Sequence, residues 1–267
     1  MKKKVALITG VSSGIGRATA ELLARKGYQV FGGVRTPEKA HAINGVTLVQ
    51  IDVRDEASIK AGVESVLQQA GRIDVLINNA GYSIVGAVEE TSPEEAQALF
   101  DTNLFGVLRM SRAVLPAMRA QGSGRIVNLS SVLGFLPAPF MGLYAATKHA
   151  VEGLSESLDH EVRNFGIRVI LIQPSFTRTG LDTNAAPTAE RIPAYVDQFQ
   201  RTVAAVTATI KAAPEPENVA GRILQAIEAP YRMRHPGDRK AALLAKLRRF
   251  MPAGPVDKSL RKEFALS

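Results

Sequence analysis

The stretch Val5–Gly16, VALITGVSSGIG, decides the fold that we expect for this chain. It reads as a short apolar strand, then a glycine-rich turn, then the start of an amphipathic helix. The spacing G-x-x-x-G-x-G differs from the usual dinucleotide fingerprint G-x-G-x-x-G and from a P-loop. Glycine allows a tight turn and a close approach of the backbone to a pyrophosphate, which free N–H groups at the helix N-terminus can bind. The alternative is a plain strand–helix turn.

Apolar runs rich in β-branched residues alternate with helical segments through the rest of the chain. The predicted strands are Val5–Ile8, Val30–Phe31, Val46–Ile51, Ile73–Ile77, Ile126–Leu129 and Ile167–Ile172. The predicted helices are Gly14–Lys26, Glu56–Gln69, Pro93–Ala120, Leu143–Asn164 and Ala194–Lys211. This alternation predicts βαβ units and therefore an α/β fold with a doubly wound parallel sheet. Ligands of such sheets bind beyond the carboxyl ends of the strands, so the residues that follow each strand carry the functional information.

Length and composition are consistent with one catalytic domain over residues 1–267. The absence of cysteine excludes disulfides, zinc–thiolate sites and a cysteine nucleophile. The four histidines are scattered without ligand spacing, so no metal site is expected. The apolar run after the N-terminal lysines is too short for a signal peptide, and no run is long enough to span a membrane. We therefore expect a cytoplasmic protein.

The net charge of +8 is concentrated at the C-terminus. Residues 231–267 hold ten Lys or Arg and three Asp or Glu, which leaves the rest almost neutral and argues against a nucleic-acid groove. The predicted basic helical extension, residues 238–267, carries an apolar stripe. The stripe members are Leu243, Leu247, Phe250, Leu244 and Met251. Either this amphipathic segment makes a weak contact with an anionic membrane surface, or the stripe docks on the domain or on a second subunit.

Three strand ends carry residues that suit a dinucleotide. Arg35 follows the second strand where an NAD site usually has Asp or Glu, and it can pair with a 2′-phosphate, so we predict NADP over NAD. Asp52, followed by Val53, can accept a hydrogen bond from an adenine amino group, although an Asp that caps the next helix is an equal alternative. The run Asn78–Gly81 suits backbone packed against a cofactor, and taken alone it would be a plain turn.

Tyr144 and Lys148 are the predicted acid–base pair. They are four residues apart on one helix and so share a face. An ammonium near a phenol lowers the phenol pKa from its usual value of about 10, which makes tyrosine a usable general acid or base. Ser131 ends the fifth strand thirteen residues before Tyr144, and its hydroxyl can bond the substrate oxygen. Ser130 is the alternative serine.

Taken together, these motifs resemble the short-chain dehydrogenase/reductase family. The matching elements are Thr9–Gly16, Asn78–Gly81, Asn103 within Asp101–Gly106, Ser131 and Tyr144–Lys148, in the family's order and spacing. The resemblance implies a Rossmann-like three-layer sandwich and an oxidoreductase that interconverts a ketone or aldehyde and an alcohol. It also implies a homodimer or homotetramer that associates through the Pro93–Ala120 and Leu143–Asn164 helices.

The resemblance implies a role for each matching residue. Tyr144 would exchange the proton, Ser131 would orient the substrate, Lys148 would bond the nicotinamide ribose, and Asn103 would hold a water that links Lys148 to solvent. The implied and predicted cofactor contacts are Gly10, Ser12, Ser13, Gly14, Ile15, Gly16, Arg35, Asp52, Val53, Asn79, Ala80, Gly81, Tyr144, Lys148, Pro174, Thr177 and Thr179.

The chain departs from the family pattern after the sixth strand, where Pro174 is followed by Ser175 rather than glycine. If that position needs a left-handed backbone, Ser175 would be strained by about 1 kcal/mol or more. We expect a substrate-loop insertion near residues 178–215, which acts as a lid or as a packed excursion. The segment Tyr231–Asp238 and the basic helix after it resemble the 17β-hydroxysteroid dehydrogenase-like subgroup, which implies a hydrophobic substrate of steroid or retinoid type.

Two other functions compete with a catalytic oxidoreductase. One is a non-catalytic nucleotide-binding sensor on the same fold, because fold alone does not determine function. The complete Asn–Ser–Tyr–Lys set argues against it, since a sensor needs no tuned phenol. The other is a peripheral membrane or scaffolding protein that acts through its basic tail.

Overall fold

A seven-stranded parallel sheet lies at the centre of the structure, a computed structural model that describes residues 3–179, 186–187 and 191–266. The strands are β1 (Val5–Thr9), β2 (Gln29–Val34), β3 (Val46–Gln50), β4 (Val75–Asn78), β5 (Ile84–Val85), β6 (Gly124–Leu129), β7 (Ile167–Gln173), β8 (Ala186–Pro187) and β9 (Arg234–Pro236). The sheet order is β3-β2-β1-β4-β6-β7-β9, and β5 pairs separately with β8. The order reverses between β1 and β4, which places a crevice at their carboxyl ends.

Helices cover both faces of the sheet. Their bounds are α1 (Gly14–Arg25), α2 (Glu56–Ala70), α3 (Pro93–Phe100), α4 (Gly106–Gln121), α5 (Gly142–Val162), α6 (Val196–Lys211), α7 (Pro216–Glu228), α8 (Arg239–Phe250) and α9 (Ala253–Glu263). The predicted three-layer α/β fold with a parallel sheet is therefore confirmed.

The apolar strands divide their side chains between two cores. Along β1, Ala6 and Ile8 belong to the cluster that contains buried residues of α1 and α7, while Val5 and Leu7 belong to the cluster with α2 and α4. This is the alternation of side chains expected along a strand. Both faces are covered, which explains why β1 is apolar at every position from Val5 to Ile8 instead of alternating with polar residues.

The helix predicted over Pro93–Ala120 is present, but its middle has a geometry that was not predicted. A π-helical turn, Asp101–Phe105, separates α3 from α4. Such a turn shifts the phase of the following side chains without ending the helix, so the spacing of apolar residues does not reveal it. The turn places Asn103 in the interior, where it is buried.

The strand β9 was not predicted, because Arg234-His235-Pro236 has none of the apolar character of the other strands. It pairs with β7 at the edge of the sheet, directly before α8 and α9 of the basic extension. Part of the predicted insertion near residues 178–215 falls on residues 180–185 and 188–190, which lie outside the described residues. No helix in the described part of the chain is long and apolar enough to cross a membrane.

Candidate active site

A cleft of about 800 Å³ opens at the carboxyl ends of the central strands. The predicted site residues that line it are Gly10, Ser12, Ser13, Gly14, Ile15, Arg35, Asp52, Val53, Asn79, Ala80, Gly81, Ser131, Tyr144, Lys148, Pro174, Thr177 and Thr179. Two predicted residues, Gly16 and Asn103, do not line it. The fold therefore gathers residues from seven separate stretches of sequence at one edge of the sheet.

The glycine-rich turn presents backbone rather than side chains to the cleft. Gly10 and Gly14 have φ of +70° and +57°, which glycine adopts without the penalty of a Cβ atom. No side chain caps α1, whereas Asp55 caps α2 and Ser92 caps α3. The N–H groups of the first turn of α1 therefore remain available, together with the positive end of the helix dipole, for an anion such as a pyrophosphate.

Gly16 serves packing at this turn. A Cβ atom at this position would lie 2.3 Å from the Gly10 carbonyl oxygen and 2.4 Å from the Asn79 side-chain nitrogen. The glycine thus lets α1 approach the end of β1. Gly16 is buried and does not line the cleft, and its contact with a cofactor stays a prediction.

Hydrogen bonds between Asn79, Ala80 and Thr9 hold the end of β4 against this turn, and we call this set the Thr9–Asn79 latch. The backbone N–H groups of Asn79 and Ala80 both donate to the Thr9 hydroxyl oxygen, at 3.0 Å each. The Asn79 amide donates to the carbonyl oxygens of Thr9 at 3.0 Å and Gly10 at 2.9 Å. Asn79 therefore shapes the cleft by fixing the turn. Thr9 begins the motif Thr9–Gly16, but this role was not predicted, since a threonine at a strand end carries no sign of the contact.

The end of the cleft beside β2 and β3 is cationic. Arg35, Thr36, Lys39 and Arg54 line it, and no ion pair holds Arg35 among the residues that the structure describes. The one carboxylate there, Asp52, accepts two hydrogen bonds from the Arg54 guanidinium, at 3.2 and 3.0 Å. The Arg54 hydrogen bond holds the pKa of Asp52 below its usual value. Asp55, not Asp52, caps the following helix.

Lys148 lies beside Tyr144 at the end of β6. Its ammonium nitrogen is 5.5 Å from the centre of the Tyr144 ring and donates to the Leu129 carbonyl oxygen at 2.7 Å. Both side chains are buried within the cleft wall. Burial lowers the pKa of Lys148 to about 8, and the charge of Glu152 one turn further along α5 opposes this shift. A cation thus stands next to the phenol in a site of low polarity.

Ser131 is arranged to donate a hydrogen bond into the cleft. Its hydroxyl oxygen accepts from the Leu133 backbone N–H at 3.1 Å, which orients the side chain. Ser130 also lines the cleft, but it is buried and points its hydroxyl toward the Ser131 carbonyl oxygen at 3.5 Å. Of the two serines considered from the sequence, Ser131 is the better placed to meet a substrate oxygen.

The Asn103 side chain makes three hydrogen bonds. Its amide oxygen accepts from the Tyr82 N–H at 3.0 Å, and its amide nitrogen donates to the Tyr82 carbonyl oxygen at 2.9 Å and to the Thr147 hydroxyl at 3.3 Å. Thr147 in turn donates to the Tyr144 carbonyl oxygen at 2.7 Å. Asn103 therefore joins the π-helical turn to α5. A water held by Asn103 that links Lys148 to solvent stays a prediction.

Ser175 is not strained in the way expected. Among the described residues, the non-glycine positions with positive φ are Phe140 and Ala265, so Ser175 does not occupy the left-handed region. Instead its hydroxyl makes a short hydrogen bond to Asp238, and its N–H donates to the same carboxylate at 3.3 Å. Asp238 also caps α8 by accepting from the Ala241 N–H at 2.7 Å. Serine thus ties the loop after β7 to the C-terminal extension.

Apolar side chains form the remaining wall of the cleft. Val132, Leu133, Met141 and Phe176 line it together with Tyr144. The first three belong to a buried cluster whose other members include Ala241 of α8 and Phe264 after α9. The sequence did not reveal these residues because they come from distant segments and follow no common pattern. The wall suits a substrate with an apolar body.

The arrangement fits a dinucleotide coenzyme and a carbonyl substrate. The glycine turn and the uncapped start of α1 suit the pyrophosphate, and the small residues Ala80 and Gly81 leave room beside the end of β4. A phenol, a hydroxyl and an ammonium meet at the apolar end of the same cleft. This set can bind a carbonyl oxygen and exchange a proton with it.

Residues 4–190 match the short chain dehydrogenase family. Over its whole length the chain is 36% identical to a 3-ketodihydrosphingosine reductase of Bacteroides thetaiotaomicron, a match that covers 100% of both proteins. The chain therefore belongs to the short-chain dehydrogenase/reductase family and is an oxidoreductase of this class. The family predicted from the motifs is confirmed, while the 17β-hydroxysteroid dehydrogenase-like subgroup stays a prediction.

Two solved structures of the family share the fold and hold different coenzymes. A protein from Burkholderia phymatum in complex with NAD is 28% identical, with a TM-score of 0.80 over 93% of each chain. A protein from Burkholderia cenocepacia in complex with NADP is 25% identical, with a TM-score of 0.78 over 97% of this chain and 98% of that one. Likeness to relatives therefore does not decide between NAD and NADP.

Proposed function

We propose that this protein transfers a hydride between NADP(H) and a hydrophobic ketone or aldehyde, or the corresponding alcohol, with Tyr144 as the residue that exchanges a proton with the substrate oxygen. The observation that carries the proposal is the buried ammonium of Lys148, 5.5 Å from the Tyr144 ring in the wall of the cleft. A bound nicotinamide coenzyme supplies or takes up the hydride.

The chain's own residues perform the proton chemistry. In reduction, the Tyr144 hydroxyl gives its proton to the carbonyl oxygen, and the charge of Lys148 stabilises the phenolate that remains. Ser131 donates a hydrogen bond to the same oxygen, which holds the carbonyl carbon in position. In the oxidative direction the phenolate removes the alcohol proton. The hydrogen bond from Lys148 to the Leu129 carbonyl oxygen holds the ammonium at this place.

The cationic end of the cleft supports NADP rather than NAD. Arg35 and Lys39 line the cleft at the position where a 2′-phosphate group would be recognised, and both are exposed. The carboxylate of Asp52 is paired with Arg54, which offsets the repulsion that it would exert on a phosphate. A guanidinium can pair with phosphate through two parallel hydrogen bonds, which strengthens the preference.

The apolar wall and the relatives together support a large hydrophobic carbonyl substrate. Val132, Leu133, Met141 and Phe176 offer no polar side-chain group to a substrate body. The relative named 3-ketodihydrosphingosine reductase suggests a long-chain ketone, and steroids and retinoids remain candidates on the same physical ground. Association into dimers or tetramers through the Pro93–Ala120 and Leu143–Asn164 helices stays a prediction, to which the exposed Phe105 and Leu108 add support.

A panel of carbonyl compounds tests the proposal. The purified chain is mixed with NADPH or NADH and with short water-soluble ketones, steroid ketones, retinal or long-chain 3-ketones, and the loss of reduced-coenzyme absorbance is followed. We expect turnover with NADPH, fastest with a large apolar carbonyl compound. Equal rates with NADH would contradict the coenzyme assignment. Tight NADPH binding without turnover of any compound would favour the non-catalytic sensor.

A further inference from the structure

The helix α8 presents an apolar stripe to solvent. Leu243, Leu247 and Phe250 are 56%, 37% and 78% exposed, and they follow one another at the spacing of one helix face. Seven large apolar side chains are exposed among the residues that the structure describes, and three of them lie on this one helix. We call these three residues the α8 stripe. Of the remaining four, Phe105 and Leu108 lie at the start of α4, and Val88 and Phe165 are single exposed residues elsewhere, as is normal.

The opposite face of α8 is anchored firmly to the protein. Ala241 is fully buried and Leu244 packs against the same apolar cluster that contains Val132 and Tyr144. Asp238 caps the helix and binds Ser175. The guanidinium of Arg248 donates to the Phe135 carbonyl oxygen at 3.3 Å. The α8 stripe is therefore held at a defined place, because the other face of its helix already has a partner.

Cations surround the stripe. Arg239, Lys246, Arg248 and Arg249 are exposed on the same helix, and the following helix α9 adds further exposed Lys and Arg residues. Of the three carboxylates in residues 231–267, Asp238 is used as the cap of α8 and Glu263 pairs with Lys240 at 2.8 Å. The surface thus combines exposed apolar side chains with a strong excess of positive charge.

This combination matches an anionic lipid surface better than a second copy of the chain. A symmetric contact would bring two α8 stripes together and with them two sets of like charges, which repel each other. A bilayer that contains anionic lipids offers negative headgroups for Lys246 and Arg249 and an apolar layer for the stripe. A basic amphipathic helix lies in such an interface with its apolar side chains inserted.

We propose that α8 is a membrane-docking helix, which inserts Leu243, Leu247 and Phe250 into the surface of an anionic bilayer while the neighbouring Lys and Arg residues contact lipid headgroups. This interaction is separate from the chemistry of the cleft. The helix packs on the wall of the cleft, so docking holds the enzyme at the place where apolar carbonyl compounds accumulate.

Co-sedimentation with vesicles tests the proposal. The full chain is mixed with vesicles of phosphatidylcholine alone or of phosphatidylcholine with phosphatidylglycerol, at low and at high salt. We expect binding to the anionic vesicles at low salt, weaker binding at high salt, and little binding to neutral vesicles. A Lys246→Glu and Arg249→Glu double variant should bind at least about 25-fold more weakly, since each cation near an anionic surface contributes about fivefold.

The stripe itself is tested by replacing Leu243, Leu247 and Phe250 with Gln, which keeps a good helix former at each position. We expect binding to fall by at least about tenfold, because burial of one Leu or Phe side chain contributes that much or more. Phe165→Gln is the matched control, since Phe165 is 44% exposed and lies outside the C-terminal extension, and it should bind as the unaltered chain does. Circular dichroism and the unfolding temperature establish that each variant is folded.

Several results would overturn the proposal. Absence of binding of the unaltered chain to anionic vesicles is one, and unchanged binding of the triple Gln variant is another. The third is a change of oligomeric state, measured by light scattering. If the triple Gln variant loses a dimer that the unaltered chain forms, the stripe is covered by a second copy and the membrane proposal is wrong.

Discussion

The two ends of the cleft are built in different ways. The cofactor half, residues 5–81, contacts its proposed ligand mainly through backbone groups and small residues, which the Thr9–Asn79 latch holds in place. The substrate half consists of residues 130–144 and Phe176, backed by the C-terminal helices, and it presents side chains. The cofactor half presents backbone groups that suit any dinucleotide. On the proposed function, the substrate half determines which reaction takes place and which substrate enters.

This difference implies that substitutions can impair coenzyme binding and turnover separately. A change in the cofactor half should alter coenzyme affinity, whereas a change in the substrate half should alter turnover while the coenzyme still binds. The two halves meet at Lys148, which lies beside Tyr144 and donates to the end of β6. Variants in the cofactor half and in the substrate half therefore show whether coenzyme affinity and turnover change independently.

The largest expected effect is that of Tyr144→Phe. Loss of a general acid typically lowers turnover by about 10²- to 10⁴-fold, while the phenyl ring keeps the packing of the apolar cluster. We expect kcat to fall by that amount and the Kd for NADPH, measured by fluorescence titration, to stay unchanged. Tyr195→Phe is the matched control, because the Tyr195 hydroxyl is bonded to Glu89 at the surface. A comparable loss of NADPH affinity in Tyr144→Phe would mean that the halves are not separable.

Gly16→Ala tests the cofactor half because the added methyl group crowds the turn after β1. The new methyl group would meet the Gly10 oxygen and the Asn79 amide at well below contact distance, so the latch must shift. We expect about 1–3 kcal/mol lower unfolding free energy and weaker NADPH binding. Gly221→Ala in α7 is the control, since nothing lies within 4 Å of its added Cβ atom. That variant should gain up to about 1 kcal/mol in urea unfolding. Equal stability of the two variants would contradict the packing role of Gly16.

Arg35→Ala tests whether the cofactor half distinguishes the two coenzymes. Hydrogen bonds to a charged group contribute about 1.5–3 kcal/mol, so losing this guanidinium should weaken NADPH by about tenfold or more. NADH has no 2′-phosphate and should bind as before. Calorimetric titration with both coenzymes measures the difference. If both affinities fall equally, Arg35 recognises a part that the two coenzymes share, and the NADP proposal fails.

The sequence predicted the cofactor half far better than the substrate half. The turn after β1 has a local cause, because glycines, an apolar strand and the following helix are adjacent in the chain. Tyr144 and Lys148 were found for the same reason, as four-residue spacing on a helix is local. Phe176, Met141 and Ala241 were missed because only the folded chain brings them together. The π-helical turn around Asn103 and the bond between Ser175 and Asp238 were missed too, since neither leaves a periodic pattern.

The smallest expected effect is a shift of the pH profile caused by Glu152. Burial lowers the pKa of Lys148 to about 8, so its ammonium is present below that pH and is lost as the pH rises through it. We expect kcat/KM for reduction to fall over the same range. Glu152 lies behind Lys148, accepts from Gln173 at 2.9 Å and Arg234 at 3.0 Å, and raises the Lys148 pKa through its negative charge.

Glu152→Gln removes that charge and keeps the shape, so the fall in kcat/KM should begin at lower pH. Glu156→Gln is the matched control, because Glu156 also accepts from Arg234, at 2.9 Å, yet does not act on Lys148. It should leave the profile in place. The two variants share the Arg234 contact, so a difference between their profiles isolates the carboxylate behind Lys148. A shift to higher pH in Glu152→Gln, or the same profile in both variants, would show that the protonation of Lys148 does not limit the reaction.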